Sequence, residues 1–275
     1  YELEQMRTSG HIAGLAHQAA MAYTKEGRYE YRVQAMMEFI FHACGASYPA
    51  YTSIVAGGNN ANVLHYIENK DRLKNGDYLL IDAGCEYNMY ASDITRTFPV
   101  NGKFEGAGKQ IYEIVLNAQK KAIEMAKPGQ TLKGLHEISS KQLINGLIEL
   151  GVLKGDLEEL YKNGEHKKYF PHGTSHWIGI DVHDNTPYLT DELEDIPFEE
   201  GMSFTVEPGL YFSRDDENIP QKLRGIGVRI EDDIVITKDG HEVLSREAPK
   251  EIADVEKYCS YSIKEIAELQ DLLDI

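Results

Sequence analysis

The chain has 275 residues, enough for one large domain or two small ones, and its 42% hydrophobic and 9% aromatic content exceeds that of a disordered chain. Its 28 basic and 45 acidic residues give a formal net charge of −17, which argues against a protein that binds nucleic acid or an anionic membrane surface, because both need basic patches. No apolar run approaches the ~18 residues of a membrane span, and the 3 widely separated cysteines predict a reducing compartment, the cytoplasm.

The first predicted elements are two helices followed by strands. An alanine-rich run predicts a helix over residues 2–24, and apolar residues at helical spacing after Gly27 predict a second helix that Gly45 ends. Strands are predicted over residues 48–56, 78–84 and 86–97. The chain therefore opens with a helix pair and continues into a sheet.

The second half repeats this order. Two amphipathic helices are predicted over residues 111–125 and 132–147, the latter with Thr131 as its N-cap. Residues 152–168 predict a surface helix and loop, and a short acidic helix begins at Ile263. Strands are predicted over residues 202–206, 225–231 and 233–237. Helices are thus segregated from a largely antiparallel sheet, which predicts a single α+β domain with a hint of internal duplication.

In three of the predicted strands the apolar run stops at a carboxylate, namely Asp82, Glu207 and Glu231. Buried charges are normally avoided, so folding alone does not easily explain three such ends. Asp93 lies on the strand after Asp82, and a tight turn would place the two side by side, where they repel unless a cation separates them. In the alternative interpretation, Asp93 pairs with Arg96 and Asp82 caps a turn.

Three histidines stand in the segment 170–184, which also carries two glycines. They are His172, His176 and His183. Histidine titrates near neutrality, so such a cluster indicates chemistry. One imidazole with four carboxylates suits two divalent ions, Mn²⁺ first and Co²⁺ or Zn²⁺ next, better than a thiolate-rich structural zinc site. The remaining histidines, apart from His65, are interpreted as surface or satisfied helical residues.

The sequence around these residues resembles that of the pita-bread metallopeptidases of the M24 type. This family includes methionine aminopeptidase, prolidase and aminopeptidase P. The five predicted ligands stand in the order of the family's metal ligands: Asp82, Asp93, His176, Glu207 and Glu231. Segments 172–184, 205–211 and 224–233 are most similar to the Xaa-Pro aminopeptidase (aminopeptidase P) branch. The resemblance implies a curved, largely antiparallel sheet with pseudo-twofold halves, covered by helices.

The resemblance also implies an activity, which is hydrolysis of the bond between an N-terminal residue and a following proline by a dinuclear metal centre. Asp82 would hold one ion and Asp93 and Glu231 would bridge both, while His176 and Glu207 complete the second ion. Two ions ~3.5–4 Å apart lower the pKa of a bridging water, and Glu207 would take its proton as general base. The residues implied to face the substrate are His65, His172, His183, Arg229 and Tyr51. Arg229 either orients Glu231 or meets a substrate carboxylate.

Domain organisation and rival functions follow from the same resemblance. Residues 1–258 are expected to form the catalytic domain and residues 259–275 a helical tail, with the N-terminal domain of the family absent from this chain. Expected partners are proline-containing peptides, and a homo-oligomer is compatible with the family. The alternatives are a prolidase limited to dipeptides, a non-catalytic binding protein on the same fold, and a creatinase-like hydrolase that needs no metal.

Overall fold

The structure, a computed structural model, describes residues 1–266 and Leu269, which form six α-helices and eleven β-strands. The helices are α1 (Glu2–Tyr23), α2 (Glu30–Ala43), α3 (Gly106–Met125), α4 (Leu132–Glu149), α5 (Leu157–Asn163) and α6 (Ile252–Ser260). The strands are β1 (Tyr48–Pro49), β2 (Ile54–Gly57), β3 (Tyr78–Asp82), β4 (Cys85–Tyr87), β5 (Tyr90–Ala91), β6 (Thr95–Pro99), β7 (Ser203–Val206), β8 (Gly209–Phe212), β9 (Ile226–Arg229), β10 (Asp232–Ile236) and β11 (His241–Val243). Single 3₁₀ turns occupy Gly58–Asn62, Glu165–Lys168, Gln221–Leu223 and Ile263–Glu265.

All strand pairs in the described part of the chain are antiparallel. The strand orders are β2–β3–β6, β1–β4–β5, β11–β10–β7 and β8–β9. Helix α1 packs on α2 and helix α3 on α4, so each helix pair covers the strands that follow it in the chain. The predicted α+β class, with helices segregated from an antiparallel sheet, is confirmed.

Helix α1 lies at the centre of the largest hydrophobic cluster rather than on the surface. Its alanines present little bulk, so neighbouring segments approach the helix axis closely. At Gly10 an added Cβ would lie 2.7 Å from the carbonyl oxygen of Leu244, closer than any real Cβ contact. The alanine-rich composition therefore reflects close packing on all sides and not only helix propensity.

The predicted strand over residues 86–97 is wrong in detail. The chain leaves the sheet after Asp82, forms the β4–β5 hairpin in another sheet, and returns as β6 beside β3. Gly84 permits the crossing, because an added Cβ there would lie on the carbonyl oxygen of Ser92. Asp82 and Asp93 are therefore brought together by a returning strand and not by a tight turn.

Other boundaries also differ from the predictions. The stretch 48–56 splits into β1 and β2, and the structure adds β8, β11 and α6, for which the sequence pattern predicts no element. Helix α6 crosses position 258, the predicted end of the catalytic domain, and its Val255 is fully buried in the main core.

Of the predicted tail helix, Ile263–Glu265 forms a 3₁₀ turn, and residues 267–268 and 270–275 lie outside the described residues. Among the helices that are described, none has the length and apolar character needed to cross a membrane.

A buried ion-pair network joins β6 to β10. Arg96, only 1% exposed, donates from Nη2 to Asp232 Oδ1 at 2.6 Å, and Lys250 Nζ donates to the other carboxylate oxygen at 2.6 Å. Arg96 Nη1 also donates to the carbonyl oxygen of Glu231 at 2.5 Å. The alternative in which Arg96 pairs with Asp93 is therefore wrong, and Arg96 instead fixes the backbone at Glu231.

Replacing Arg96 by Met is expected to lower the free energy of unfolding by about 3–5 kcal/mol, because it removes one partner of a buried pair. Urea unfolding of the two proteins measures the difference. The matched control is Arg7→Met, whose partner Glu242 and guanidinium are both partly exposed, and its loss is expected to stay below about 1 kcal/mol. Equal losses in the two variants would contradict a structural role for the buried network.

Candidate active site

A cavity of about 330 Å³ gathers the predicted site residues. Its wall includes every one of them except Tyr51: His65, Asp82, Asp93, His172, His176, His183, Glu207, Arg229 and Glu231. Leu64, Gly173, Ser175 and Tyr188 complete the lining. Residues from both halves of the chain thus share one open cavity.

Strand ends place the four carboxylates at this cavity. Asp82 is the last residue of β3 and Asp93 precedes β6, while Glu207 follows β7 and Glu231 joins β9 to β10. Strand β3 pairs with β6 and β7 with β10, so each pair brings two carboxylates together. The Glu231 N–H donates to the carbonyl oxygen of Thr95 at 3.0 Å, which links the two sheets at this point.

His176 is oriented toward the carboxylates by its backbone contact. Nδ1 donates its proton to the carbonyl oxygen of Trp177 at 3.0 Å, which leaves Nε2 facing the cavity. Nε2 lies 3.3 Å from Asp93 Oδ2 and 3.7 Å from Glu207 Oε1. Ligand atoms of Asp93, His176 and Glu231 all lie within 4.8 Å of one another.

Electrostatics favour a cation in this cluster. Burial raises the pKa of Asp82, raises that of Glu207 to about 8, and raises that of Glu231 well above its usual value, with help from neighbouring carboxylates. Burial lowers the pKa of His176, but Asp93 outweighs this effect and raises it to about 9. Burial also raises the pKa of Asp93, but the hydrogen bond and charge of His176 outweigh it and lower that pKa. Protonation is therefore favoured at the other three carboxylates unless positive charge is added. An oriented imidazole among buried carboxylates fits divalent cations.

Arg229, in the wall of the cavity, holds Asp82 in place through hydrogen bonds. Its Nη2 donates to Asp82 Oδ2 at 2.5 Å and its Nε to Thr95 Oγ1 at 3.1 Å. Thr95 Oγ1 in turn donates to Glu231 Oε2 at 2.6 Å. Arg229 thus contacts Asp82 directly and reaches Glu231 only through Thr95, a residue that the sequence pattern does not single out. The strand register could have indicated Thr95, because this residue is the cross-strand partner of Asp82.

Tyr51 lies outside the cavity wall and contacts the predicted ligands. Its hydroxyl is 2.6 Å from Asp82 Oδ1 and 2.6 Å from Asp93 Oδ1. A hydroxyl has one proton to donate, so these two contacts share it. The position of Tyr51 supports orientation of the carboxylates rather than contact with a substrate.

The three histidines predicted to face the substrate differ in the contacts that their rings make with the protein. His172 donates from Nδ1 to the carbonyl oxygen of Gly173 at 2.7 Å, and its Nε2 accepts from the Tyr211 hydroxyl at 2.7 Å. Burial lowers the pKa of His172 to about 3, so its ring is neutral. His183 stacks on His176 with ring centroids 3.9 Å apart, and His65 is exposed.

Known proteins match this chain over most of its length. Residues 4–238 match the model of metallopeptidase family M24. The Xaa-Pro aminopeptidase of Haemophilus influenzae is 45% identical over 260 residues, which are 94% of this chain and 60% of that protein. The chain therefore spans about 60% of the length of this curated relative.

Solved structures agree with the sequence matches. Pseudomonas aeruginosa aminopeptidase PepP superposes with a TM-score of 0.93 at 45% identity, covering 94% of this chain and 58% of that one. Aminopeptidase P from E. coli with the inhibitor Pro-Leu superposes with a TM-score of 0.91 at 43% identity, with coverage of 94% and 58%. The fold expected from the family resemblance is thereby confirmed.

Proposed function

The chain belongs to metallopeptidase family M24, and on that premise we propose that it is a metal-dependent aminopeptidase that hydrolyses the bond between an N-terminal residue and a following proline. The observation that carries the proposal is the convergence of His176 and four carboxylates, two of them buried and two partly buried, in one open cavity. The names of the similar proteins support proline as the second residue.

We propose that the cluster holds two divalent ions, with Mn²⁺ the first candidate. As the family resemblance implies, Asp93 and Glu231 would serve both ions, Asp82 one of them, and His176 with Glu207 the other. Bound divalent ions would polarise the scissile carbonyl and make water a better nucleophile at neutral pH. The three scattered cysteines of the sequence support a reducing compartment, so we place the protein in the cytoplasm.

The side chains around the ions have separate tasks in this proposal. Burial raises the pKa of Glu207 to about 8, and bound cations would lower it again, so that its carboxylate would be free to accept a proton from water and return it to the leaving amine. His65 and His183 would donate hydrogen bonds to the carbonyl oxygen of the substrate. His172, whose two ring nitrogens are already bonded, would have to exchange one of these bonds to do so.

Hydrolysis of three peptides by the Mn²⁺-loaded protein tests the proposal: an Xaa-Pro-Xaa tripeptide, an Xaa-Pro dipeptide and a Met-Ala peptide. We expect release of the first residue from the tripeptide, and loss of this activity after chelation with recovery when Mn²⁺ returns. Cleavage of the dipeptide alone would indicate a prolidase. A metal-loaded protein that cleaves none of the three would contradict the proposal and favour a binding protein.

A further inference from the structure

A second cavity, of about 490 Å³, adjoins the active-site cavity and shares part of its wall. The shared residues are His172, Gly173, Ser175 and Tyr188. We call this second cavity the lateral groove. Exposed Gly173 carries no side chain at the boundary, so a chain lying in the active site can pass into the lateral groove.

One wall of the lateral groove contains a short extended segment whose outer edge is unpaired at Ser175. The segment 174–178 runs beside β7, because Glu207 N donates to Thr174 O at 2.7 Å and Thr205 N donates to His176 O at 2.9 Å. Backbone groups alternate in direction along an extended segment, so the N–H and C=O of Ser175 point away from β7.

Ser175 has polar atoms that the protein leaves unsatisfied. Within the described residues, its backbone N–H and C=O have no hydrogen-bond partner, and its buried Oγ also has none. Buried polar groups are normally paired, so an unpaired edge in a cavity wall points to an external partner. An extended peptide satisfies such an edge by adding a strand to it.

The far end of the lateral groove carries a positive charge in a chain whose net charge is −17. Lys133 is neutralised by Asp195 at 3.0 Å, whereas exposed Lys167 has no ion pair in the part of the chain described. Burial, then the charges of His166 and Lys167, lower the pKa of His136 in the same wall, so this histidine is neutral at pH 7. Lys167 thus gives the groove a positive charge that no described acidic residue pairs with, and the group that would pair with it is a carboxylate of the ligand.

We propose that the lateral groove binds the part of a peptide substrate that follows proline, as an extended segment paired with Ser175, with its C-terminal carboxylate facing Lys167. The proposal rests on the proposed function and deepens it. The groups assigned to contact the peptide beyond the proline are the backbone of Ser175 and the ammonium group of Lys167. A dipeptide ends at the proline and cannot reach the groove.

Calorimetric binding of peptides that begin with proline tests the proposal without any need for turnover. The probes are Pro-Leu, Pro-Leu-Ala-Ala and the C-terminal amide of the latter, with the Mn²⁺-loaded protein. We expect the tetrapeptide to bind about tenfold more tightly than Pro-Leu, and amidation to remove about three- to fivefold of that gain, as for a partly exposed ion pair. Equal affinities for Pro-Leu and the tetrapeptide would overturn the proposal.

Two lysine variants test whether Lys167 is the group that binds the C-terminal carboxylate of the peptide. In Lys167→Glu the tetrapeptide is expected to bind about tenfold more weakly, and amidation should then no longer weaken binding, since its partner is gone. The matched control is Lys162→Glu, which changes the same charge at an exposed position outside both cavities. Equal losses in the two variants would exclude Lys167 as the partner of the carboxylate.

N-methylation of single peptide bonds tests the pairing with Ser175. Because strand pairing alternates, methylating the amide of one alanine of the tetrapeptide should weaken binding about tenfold, and methylating the other should not. No loss at either alanine would overturn the strand pairing. These affinities are independent of the hydrolysis assay, so a protein that cleaves no Xaa-Pro peptide would refute the proposed function while the groove is still judged by binding.

Discussion

The Glu207→Gln variant is expected to turn over an Xaa-Pro-Xaa tripeptide at least about 10³-fold more slowly than the parent protein. The amide has nearly the shape of the carboxylate, but it cannot accept a proton and is a weak metal ligand. Glu207 lies beside His176 with its side chain 17% exposed, so base and ligand are lost together while the packing is retained. Steady-state kinetics with Mn²⁺ in excess measures the loss, and urea unfolding checks the fold.

A matched substitution isolates the chemistry of Glu207. Glu200 is exposed in the turn that precedes β7, so Glu200→Gln makes the same chemical change outside the cavity. Turnover of this control is expected to equal that of the parent protein. If Glu207→Gln also turned over at the parent rate, Glu207 would not be the general base.

His176→Ala is expected to have an effect of similar size, through loss of metal. Its Nε2 is the nitrogen presented to Asp93 and Glu207, and the carbonyl of Trp177 holds the ring in that direction. Removing an oriented ligand weakens metal binding, and activity at limiting Mn²⁺ should fall by about 10³-fold or more. Metal content after gel filtration and activity as a function of Mn²⁺ concentration measure both effects.

The stacked neighbour His183 provides the comparison. Its ring lies 3.9 Å from that of His176, so His183→Ala perturbs the same place without removing a predicted ligand. We expect His183→Ala to keep its metal and to lose activity through weaker contact with the substrate. Metal loss in both variants to the same degree would argue that stacking, and not coordination by His176, holds the ion.

Local patterns predict much of the fold because they are set by neighbours in sequence. The helix predicted over residues 2–24 is observed as Glu2–Tyr23, and Thr131 caps α4 by accepting from the Gly134 N–H at 3.1 Å, as predicted. The β4–β5 hairpin escapes prediction, because the alternating stretch 86–97 looks like one strand. The hairpin can leave the sheet because the backbone at Gly84 passes close to that of Ser92, a contact that only the folded chain reveals.

In the candidate site, the sequence predicts which residues take part but not which partners their side chains contact. Asp82, Glu207 and Glu231 are recognisable from the sequence alone, because each is a carboxylate at the end of an apolar strand. The partner of Arg229 cannot be predicted in this way, since Asp82 and Glu231 both lie within its reach and side-chain direction decides between them. Sequence likewise does not reveal the direction of Tyr51, whose hydroxyl points toward two carboxylates of the cluster.

The joining of two chain halves at one cluster has a consequence for how the protein acquires activity. Asp82 and Asp93 come from the first helix–strand half, whereas His176, Glu207 and Glu231 come from the second. Contacts between residues so distant in sequence form late, after local helices and hairpins. During synthesis the cluster cannot assemble until Glu231 has left the ribosome. On refolding, catalytic competence should therefore return after helical content and mark completion of the fold.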